Sequence, residues 1–371
     1  MRYILLLSFL VFATFSSNSQ NENMEKLYVG TFTSEGAEGI YLCNFNSESG
    51  EITLDKTFKG VDNPSFLKVS ADKKYLYSVS RTTEEIEKSG GFVVAYKIGK
   101  NGILHFINKQ IANGAGPCHI DVSADGEFAA IATYGGGTTS VYPINDDGSL
   151  SSVSSLINNN SLIDSEENVV SHAHSIKFSP FDEKVYSADL GTDQLNIYSN
   201  KNGVLETGQQ KFVKLEKGAG PRHFEFSANG EIIYVINELN STISVLKMES
   251  EVWSVIQNIS TLPSDFVGKS YCADIHISDD GKYLYGSNRG HNSIAVFNVN
   301  PESSELVFVG TVAVEGDWPR NFTLSPNGKF MLVANQKSGN ITIFKIHPKT
   351  GMPQFTGKEI KLPAPVCLEF L

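Results

Sequence analysis

A segment of about fifty residues recurs along the chain, and this repeat limits the possible folds more than any other feature. Each copy has two runs of alternating apolar residues joined by a turn that begins with serine, as in HFEFSANGEIIYVIN. The steps between the serines are 53, 56, 48, 51 and 47 residues, and the serines are Ser70, Ser123, Ser179, Ser227, Ser278 and Ser325. Period-two alternation predicts strands, and Ser-x-Asp/Asn-Gly predicts a hairpin turn. A repeat of this length predicts propeller blades of four strands each.

The two ends of the chain supply the parts of a seventh copy. PVCLEFL at the C terminus matches the strand that opens the other copies, and KLYVGTF and GIYLCNF match the strands that follow it. Pairing the first and last segments closes the ring and removes exposed sheet edges. The sequence therefore predicts an all-β, seven-bladed β-propeller with four-stranded blades, one of them composite, as a single domain over residues 20–371. A closed ring needs no partner subunit, which favours a monomer.

The first residues differ in character from the repeats. MRYILLLSFLVFATFSSNSQ has one basic residue, a short apolar core and small residues before Gln20, which is the pattern of a signal peptide. The apolar run is too short for a membrane span, and no cysteine near the cleavage site offers a lipid anchor. We therefore predict a signal peptide over residues 1–19 and export to a periplasm or beyond, without a membrane anchor.

The charge of the chain argues against one class of partner, nucleic acids. The formal net charge is -11, so a nucleic-acid surface, which needs a basic face, is not expected.

The four cysteines show no CxxC spacing and lie on or beside predicted strands, where buried free thiols are common; they are Cys43, Cys118, Cys272 and Cys367. The longest irregular stretch, residues 151–170, is polar and is predicted to be a loop beside the channel.

Unusual residues occupy equivalent positions in successive copies, and so form rings around the predicted channel. Counted from the serine, four positions carry them: minus five (His174, Arg222, Arg320), minus four (His119, His223), plus ten (Asn237, Asn288, Asn335) and plus eleven (Glu238, Arg289). Because a hairpin brings the start of its first strand beside the end of its second, we expect all four rings at one end of the channel. Convergent polar groups in a concave mouth predict a binding site. The structural alternative is that the asparagines cap strand ends and that His223 bonds within its own blade.

Five segments closely resemble the lactonase family of seven-bladed propellers. They are AGPRHFEFSANGEIIYVINELNSTISV, SNRGHNSIAVF, WPRNFTLSPNGKFMLVANQKSGNITIF, HAHSIKFSP and ADLGTDQLNIY. The resemblance covers essentially the whole chain after the predicted signal peptide. It implies a hydrolase of sugar lactones, similar to the propeller-type 6-phosphogluconolactonase, that uses no metal or other cofactor. The family's motifs place its catalytic residues here at His174, Arg222, Glu238 and Arg289. One departure is VVSHAH, where the family usually has Gly-Pro before HAH.

Opening a lactone requires a base that activates water and a positive group that stabilises the oxyanion. Glu238 or His174 can serve as the base, and Arg222 or Arg289 as the stabilising group. Arg320 is suited to a carboxylate or phosphate, which it can bind bidentately. The expected ligand is a small-molecule lactone or an anionic sugar, contacted by the other ring residues: His119, His172, His223, Asn237, Asn288, Arg320 and Asn335.

Three alternatives remain open. A metal could bind to His172 and His174 with His119 or His223, although the nearby arginines would repel a cation. A non-catalytic exported propeller could bind an anionic sugar or a protein, because one fold hosts many functions. Export favours this reading, since a phosphorylated pentose-pathway lactone is a cytoplasmic metabolite. A muconate-type cycloisomerase would use the same four catalytic residues in reverse.

Overall fold

The structure is a computed structural model that describes residues 23–163 and 169–371. The predicted signal peptide lies outside the described residues. Strands of the first third are β1 (Met24–Thr31), β2 (Gly39–Asn46), β3 (Ile52–Lys59), β4 (Leu67–Val69), β5 (Tyr75–Arg81), β6 (Gly91–Ile98), β7 (Leu104–Ile111), β8 (Pro117–Val122), β9 (Phe128–Thr133), β10 (Thr138–Pro143) and β11 (Ser155–Asn158). They are followed by β12 (Ala173–Phe178), β13 (Lys184–Asp189), β14 (Gln194–Lys201), β15 (Val204–Lys214), β16 (Pro221–Phe226), β17 (Ile232–Asn237), β18 (Thr242–Glu249) and β19 (Val252–Ser260). The last are β20 (Tyr271–Ile277), β21 (Tyr283–Arg289), β22 (Ser293–Val299), β23 (Leu306–Ala313), β24 (Pro319–Leu324), β25 (Phe330–Asn335), β26 (Asn340–Ile346), β27 (Pro353–Lys361) and β28 (Pro365–Phe370).

These strands form seven antiparallel sheets of four, arranged as blades around a channel. Blade 1 has the order β28-β1-β2-β3, and blades 2 to 7 take β4–β7, β8–β11, β12–β15, β16–β19, β20–β23 and β24–β27. Each blade has one inner strand, which contacts the inner strands of the neighbouring blades and lines the channel. The inner strands are β28, β4, β8, β12, β16, β20 and β24. In blade 1 the C-terminal strand pairs with the N-terminal one, with Val29 opposite Leu368 and Gly30 opposite Cys367. The predicted seven-bladed propeller with one composite blade is confirmed.

The recurring serine pins the turn between the first two strands of a blade. In blade 5, Ser227 Oγ donates to Asn229 Oδ1 (2.7 Å) and accepts from the Ile232 amide (3.0 Å). The glycine that follows, Gly230, has a φ of 74°, a left-handed conformation that suits glycine. The same pair of bonds recurs at Ser70, Ser123, Ser278 and Ser325. The serine-led turn that identified the repeat therefore has the same structural role in these blades.

Recurring tyrosines tie each of several blades to the next. The hydroxyl of Tyr77 donates to Gly148 O (3.0 Å), that of Tyr234 to Ser304 O (3.0 Å), and that of Tyr285 to Gly351 O (2.9 Å). Each ring is fully buried in the apolar layer between two sheets. A buried tyrosine is stable there because its hydroxyl has a partner. These bonds fix the angle between blades, and hence the positions of the residues around the channel.

Three smaller features complete the fold. All four cysteines are buried and free, as predicted. The prediction of a loop over residues 151–170 is wrong in part, because Ser155–Asn158 forms the outer strand β11 of blade 3, and a 3-10 helix follows at Asn159–Leu162. Two further 3-10 turns lie at Thr33–Glu35 and Lys100–Gly102. Within residues 23–163 and 169–371, no helix is long and apolar enough to cross a bilayer.

Candidate active site

A bulge recurs in the inner strands of six blades, including β8, β12, β16 and β24, where it sets the orientation of a single extra residue. In β16, Pro221 pairs with Asn237 and His223 with Ile236, so Arg222 is an extra residue without a partner. The extra residues in β8, β12 and β24 are Cys118, His174 and Arg320. Strict alternation would turn one of two consecutive side chains into the blade, whereas a bulge re-aims the extra one. As a result, Arg222 and His223 both face the channel.

At the upper mouth of the channel, where the second strands of the blades end, one carboxylate lies between two arginines. Glu238 Oε2 is 3.0 Å from Arg222 Nε and 2.9 Å from Arg289 Nη2. Burial alone would raise the pKa of Glu238, but the arginines hold it below its ordinary value. The two guanidiniums are 2% and 4% exposed and also donate to backbone carbonyls, Arg222 to Ala273 O and Arg289 to Cys272 O. Glu238 is therefore ionised at neutral pH.

A third arginine adds positive charge without a carboxylate of its own. The Arg320 guanidinium lies 5.2 Å from the ring centroid of Phe32 and forms no ion pair with any described residue. Burial and the charges of Arg222 and Arg289 lower its pKa to about 9, so it still carries its charge at neutral pH. Among the described residues of the mouth, three guanidiniums thus accompany one carboxylate, that of Glu238, which pairs with two of them. A partly buried excess of positive charge is costly unless an anion compensates it.

The two histidines of HAH have different environments. The ring of His172 stacks on Tyr134 at 4.5 Å, and its Nδ1 donates to Tyr134 O at 2.8 Å. His174 is buried against the arginines, and its Nδ1 has no hydrogen-bond partner among the described residues. Burial, followed by the charge of Arg222, holds the pKa of His174 well below its usual range. His174 is therefore a neutral imidazole beside the arginines of the mouth, and its buried Nδ1 is unpaired among the described residues.

Aromatic rings close the channel below the mouth. Phe66 lies 4.0 Å from His119 and 5.8 Å from His223, whose ring is 5.3 Å from His119 and 5.4 Å from His174. His223 Nδ1 donates to Asp274 Oδ1 at 2.6 Å, and His119 Nδ1 accepts the Ile176 amide at 3.4 Å. We expected His119 and His223 at the mouth, but they form this waist and line the cavity beneath it. The reason is that they sit one residue deeper on their strands than His174 and Arg222.

Below the level of Phe66, His119 and His223 lies a cavity of about 290 Å³. Most of its charged lining residues stand two positions before the recurring serine of their blade. Lys177 pairs with Glu225 at 2.9 Å, and His276 lies 3.2 Å from both Glu225 and Asp274. Burial would lower the pKa of His276, but the two carboxylates together raise it to about 10. Asp274 also accepts the Phe322 amide of the next blade at 3.2 Å. This ring was not predicted from the sequence, although equivalent positions of the repeat carry a column of polar residues: Lys68, Asp121, Lys177, Glu225, His276, Thr323 and Glu369.

The asparagine ring does not face the mouth. Asn237 Nδ2 donates to Thr242 Oγ1 and Ser244 Oγ, both at 2.9 Å, inside its own blade. Asn288 Nδ2 donates to Thr261 O at 3.0 Å, and Asn335 Nδ2 to Thr342 Oγ1 at 3.1 Å. All three are fully buried. This placement corrects the expectation that they join the mouth and favours the structural alternative, in which they hold the ends of the second strands.

The structure thus brings five of the predicted side chains to the mouth: His174, Arg222, Glu238, Arg289 and Arg320. His172 lies at its edge through Tyr134, a residue that the predicted site did not include. Among the described residues, no three histidine, cysteine, aspartate or glutamate side chains are grouped as a metal site requires. The chemistry available at the mouth is positive charge, one ionised carboxylate, a neutral imidazole and a phenol.

Comparisons with known proteins agree with this architecture. The family model described as "Lactonase, 7-bladed beta-propeller" matches residues 26–370. A 6-phosphogluconolactonase of Bacillus subtilis is 37% identical over 348 residues, which cover 93% of this chain and 97% of that protein. A 6-phosphogluconolactonase of Formosa agariphila is 35% identical over 80% of this chain and 86% of its own length. The solved structure of the periplasmic gluconolactonase of Pseudomonas aeruginosa is 30% identical, with a TM-score of 0.86, over 94% of this chain and 99% of that one.

Proposed function

Because the chain belongs to the lactonase family of seven-bladed β-propellers and is a 6-phosphogluconolactonase-like lactone hydrolase, we propose that it opens its substrate at the upper mouth of the channel without a metal. The observation that carries this proposal is the excess of guanidinium charge beside an unpartnered neutral imidazole. Positive charge stabilises the oxyanion of a tetrahedral intermediate. A neutral imidazole can accept a proton from water.

In the proposed mechanism each residue of the mouth has one role. The imidazole of His174 takes a proton from a water molecule, whose oxygen attacks the carbonyl carbon of the lactone. Arg222 and Arg289 stabilise the negative charge that develops on the carbonyl oxygen. Glu238 holds both guanidiniums in position, and its charge is committed to them through Oε2. We therefore assign the base to His174 and not to Glu238.

In this proposal, Arg320 selects substrates that carry a negative charge. Its guanidinium has no carboxylate partner, so it can bind a phosphate or carboxylate of the substrate through paired hydrogen bonds. Neutral lactones would leave this charge uncompensated. We propose an anionic sugar lactone as the preferred substrate class.

The proposal is tested by hydrolysis of 6-phosphogluconolactone and of unphosphorylated gluconolactone, followed by pH-stat. Arg320→Gln is expected to raise KM for the phosphorylated lactone by roughly 10- to 100-fold, the value of a charge-assisted hydrogen bond. KM for the neutral lactone should change by less than about threefold, since the lost contact is absent there. Lys345→Gln, which removes one positive charge from an exposed position opposite Phe330 at the end of the blade remote from the mouth, is the control and should leave both constants nearly unchanged.

Other outcomes point to the alternatives. No turnover of any lactone by the wild type, combined with binding of sugar phosphates, would favour a non-catalytic propeller. Formation of a lactone from a muconate would favour a cycloisomerase. Equal effects of Arg320→Gln on both lactones would refute the role given to Arg320.

We also propose that residues 1–19 direct export, as the sequence pattern predicts. Expression in a bacterial host with a periplasm, followed by mass spectrometry of the intact protein, gives the position of the first residue. The expected mature protein begins near Gln20 and is recovered outside the cytoplasm. A cytoplasmic protein that retains Met1 would refute export. The monomeric state stays a prediction.

A further inference from the structure

We infer that Tyr134 is a further catalytic residue, which donates its hydroxyl proton to the ring oxygen that leaves when the lactone opens. This inference rests on the proposed function and concerns the second half of the reaction. Expulsion of a sugar alkoxide is slow unless the oxygen is protonated as the bond breaks. The roles proposed above assign that proton to no residue, and a donor other than the newly protonated His174 would let both proton transfers proceed side by side.

The fold places Tyr134 in the same ring as two residues of the mouth. It stands eleven residues after Ser123, as Glu238 stands after Ser227 and Arg289 after Ser278. Its amide bonds to Gly116 O at 3.0 Å, which fixes the end of the second strand of blade 3. Symmetry between blades therefore directs this position toward the channel mouth.

Two histidines hold the tyrosine ring. The His172 ring is stacked on it, with 14° between the planes, and the His174 ring meets its edge at 5.7 Å. The bond from His172 Nδ1 to Tyr134 O couples the stack to the backbone. These contacts orient Tyr134 beside the proposed base, as a catalytic group requires. This arrangement also gives His172 a function as a positioning residue.

The hydroxyl of Tyr134 is unused in the free protein. It forms no hydrogen bond with the described residues, whereas Tyr77 and Tyr142 bond to the carbonyls of Gly148 and Ile111. Burial and the nearby charge of Glu238 raise the pKa of Tyr134, with Arg222 and Arg289 acting against them. The phenol therefore keeps its proton at neutral pH until a substrate atom accepts it.

No other group at the mouth is as well suited to be the proton donor. Arginines do not release protons at neutral pH, and Glu238 is ionised. The thiol of Cys118 points to backbone carbonyls, with Sγ 3.3 Å from His174 O, and burial raises its pKa to about 11. His174 is unprotonated at the start of the reaction and takes up the proton of the attacking water.

The step balances as follows. Water forms a bond from its oxygen to the carbonyl carbon and gives one proton to His174. The bond between that carbon and the ring oxygen then breaks, its electron pair stays on the ring oxygen, and this oxygen takes the Tyr134 proton. Transfer of the proton from His174 through solvent to the phenolate restores both residues. The net change is one lactone and one water converted to a hydroxy acid, which ionises.

The test is Tyr134→Phe, which keeps the stacked ring and removes only the hydroxyl. We expect kcat for the sugar lactone to fall by about 10²-fold or more, the usual contribution of a general acid, with KM nearly unchanged. On the thiolactone of the same sugar the loss should be less than about fivefold, because a thiolate leaves without a proton. Tyr283→Phe, the same change at the start of β21, the end of that strand remote from the mouth, is the control and should keep full activity.

Each outcome decides the inference. A kcat within threefold of the wild type on both substrates would refute it and would mean that the base itself returns the proton. Equal losses on lactone and thiolactone would also refute it, since they would indicate a role in positioning alone. An inactive wild type would instead refute the proposed function, which separates the two failures.

Discussion

Replacing His174 with glutamine is expected to lower kcat for the lactone by roughly 10²–10⁴-fold, the usual contribution of a positioned base. His174 is buried, its Nδ1 has no partner among the described residues, and three arginines lie nearby, so the imidazole stays neutral. KM should change little, because the proton transfer occurs only in the transition state. Measurements of kcat and KM by pH-stat, with a thermal unfolding scan of each variant, give the result.

The pH profile provides a second criterion for the same assignment. A base works only when unprotonated, so the rate falls as pH drops through its pKa. Since burial and Arg222 hold the pKa of His174 well below its usual 6.5, kcat should be flat from about pH 6.5 to 8 and decline only in more acidic solution. A decline centred near pH 6.5 would contradict the environment described for His174.

Two variants complete the design. His105→Gln, the same substitution on an exposed outer strand, should retain wild-type kcat. Glu238→Gln keeps the shape of the carboxylate but removes the charge that holds the arginines together. If this change abolishes turnover while His174→Gln loses less than tenfold, the base is Glu238 and the assignment to His174 is wrong.

Deleting residues 365–371 is expected to abolish cooperative folding. This segment contains β28, which supplies the inner strand of blade 1 and pairs with β1. The side chains of Val366, Cys367 and Leu368 are buried, and burial of each aliphatic side chain contributes about 1.5–3 kcal/mol. The sum is comparable to the total stability of a typical domain, about 5–15 kcal/mol. Loss of β28 also exposes the edge of β1, which invites aggregation.

Circular dichroism melting and size-exclusion chromatography measure this effect. Glu369→Gln is the matched control, because it keeps the strand intact. In the wild type the Val69 amide donates to the Glu369 carboxylate at 3.0 Å, and the glutamine retains an oxygen that can accept this bond. It removes only the contact with Lys68 at 3.5 Å, which is worth about 1 kcal/mol or less at a partly exposed site. A deletion variant that melts within a few degrees of the wild type would show that ring closure contributes little.

Part of the site could be predicted because equivalent positions in successive copies of the repeat lie at the same level of the channel. Counting from the serine brought Arg222, His174 and Arg320 into one ring, and Glu238 and Arg289 into another. The count did not distinguish which members face the channel. Asn237 belongs to an equally regular column, yet its amide is used inside the blade. Side-chain direction at a strand end depends on local hydrogen bonds that a column of residues does not reveal.

The sequence by itself determined the architecture of this protein, because blade number, turn chemistry and ring closure are all local patterns repeated along the chain. Tertiary structure alone decided how the charged residues are distributed along the channel. The bulges set Arg222 and His174 above His223 and His119, and the rings of Phe66 and the histidines divide the mouth from the cavity below. The physical reason is that a bulge changes which way a side chain points without changing the composition or period of the strand.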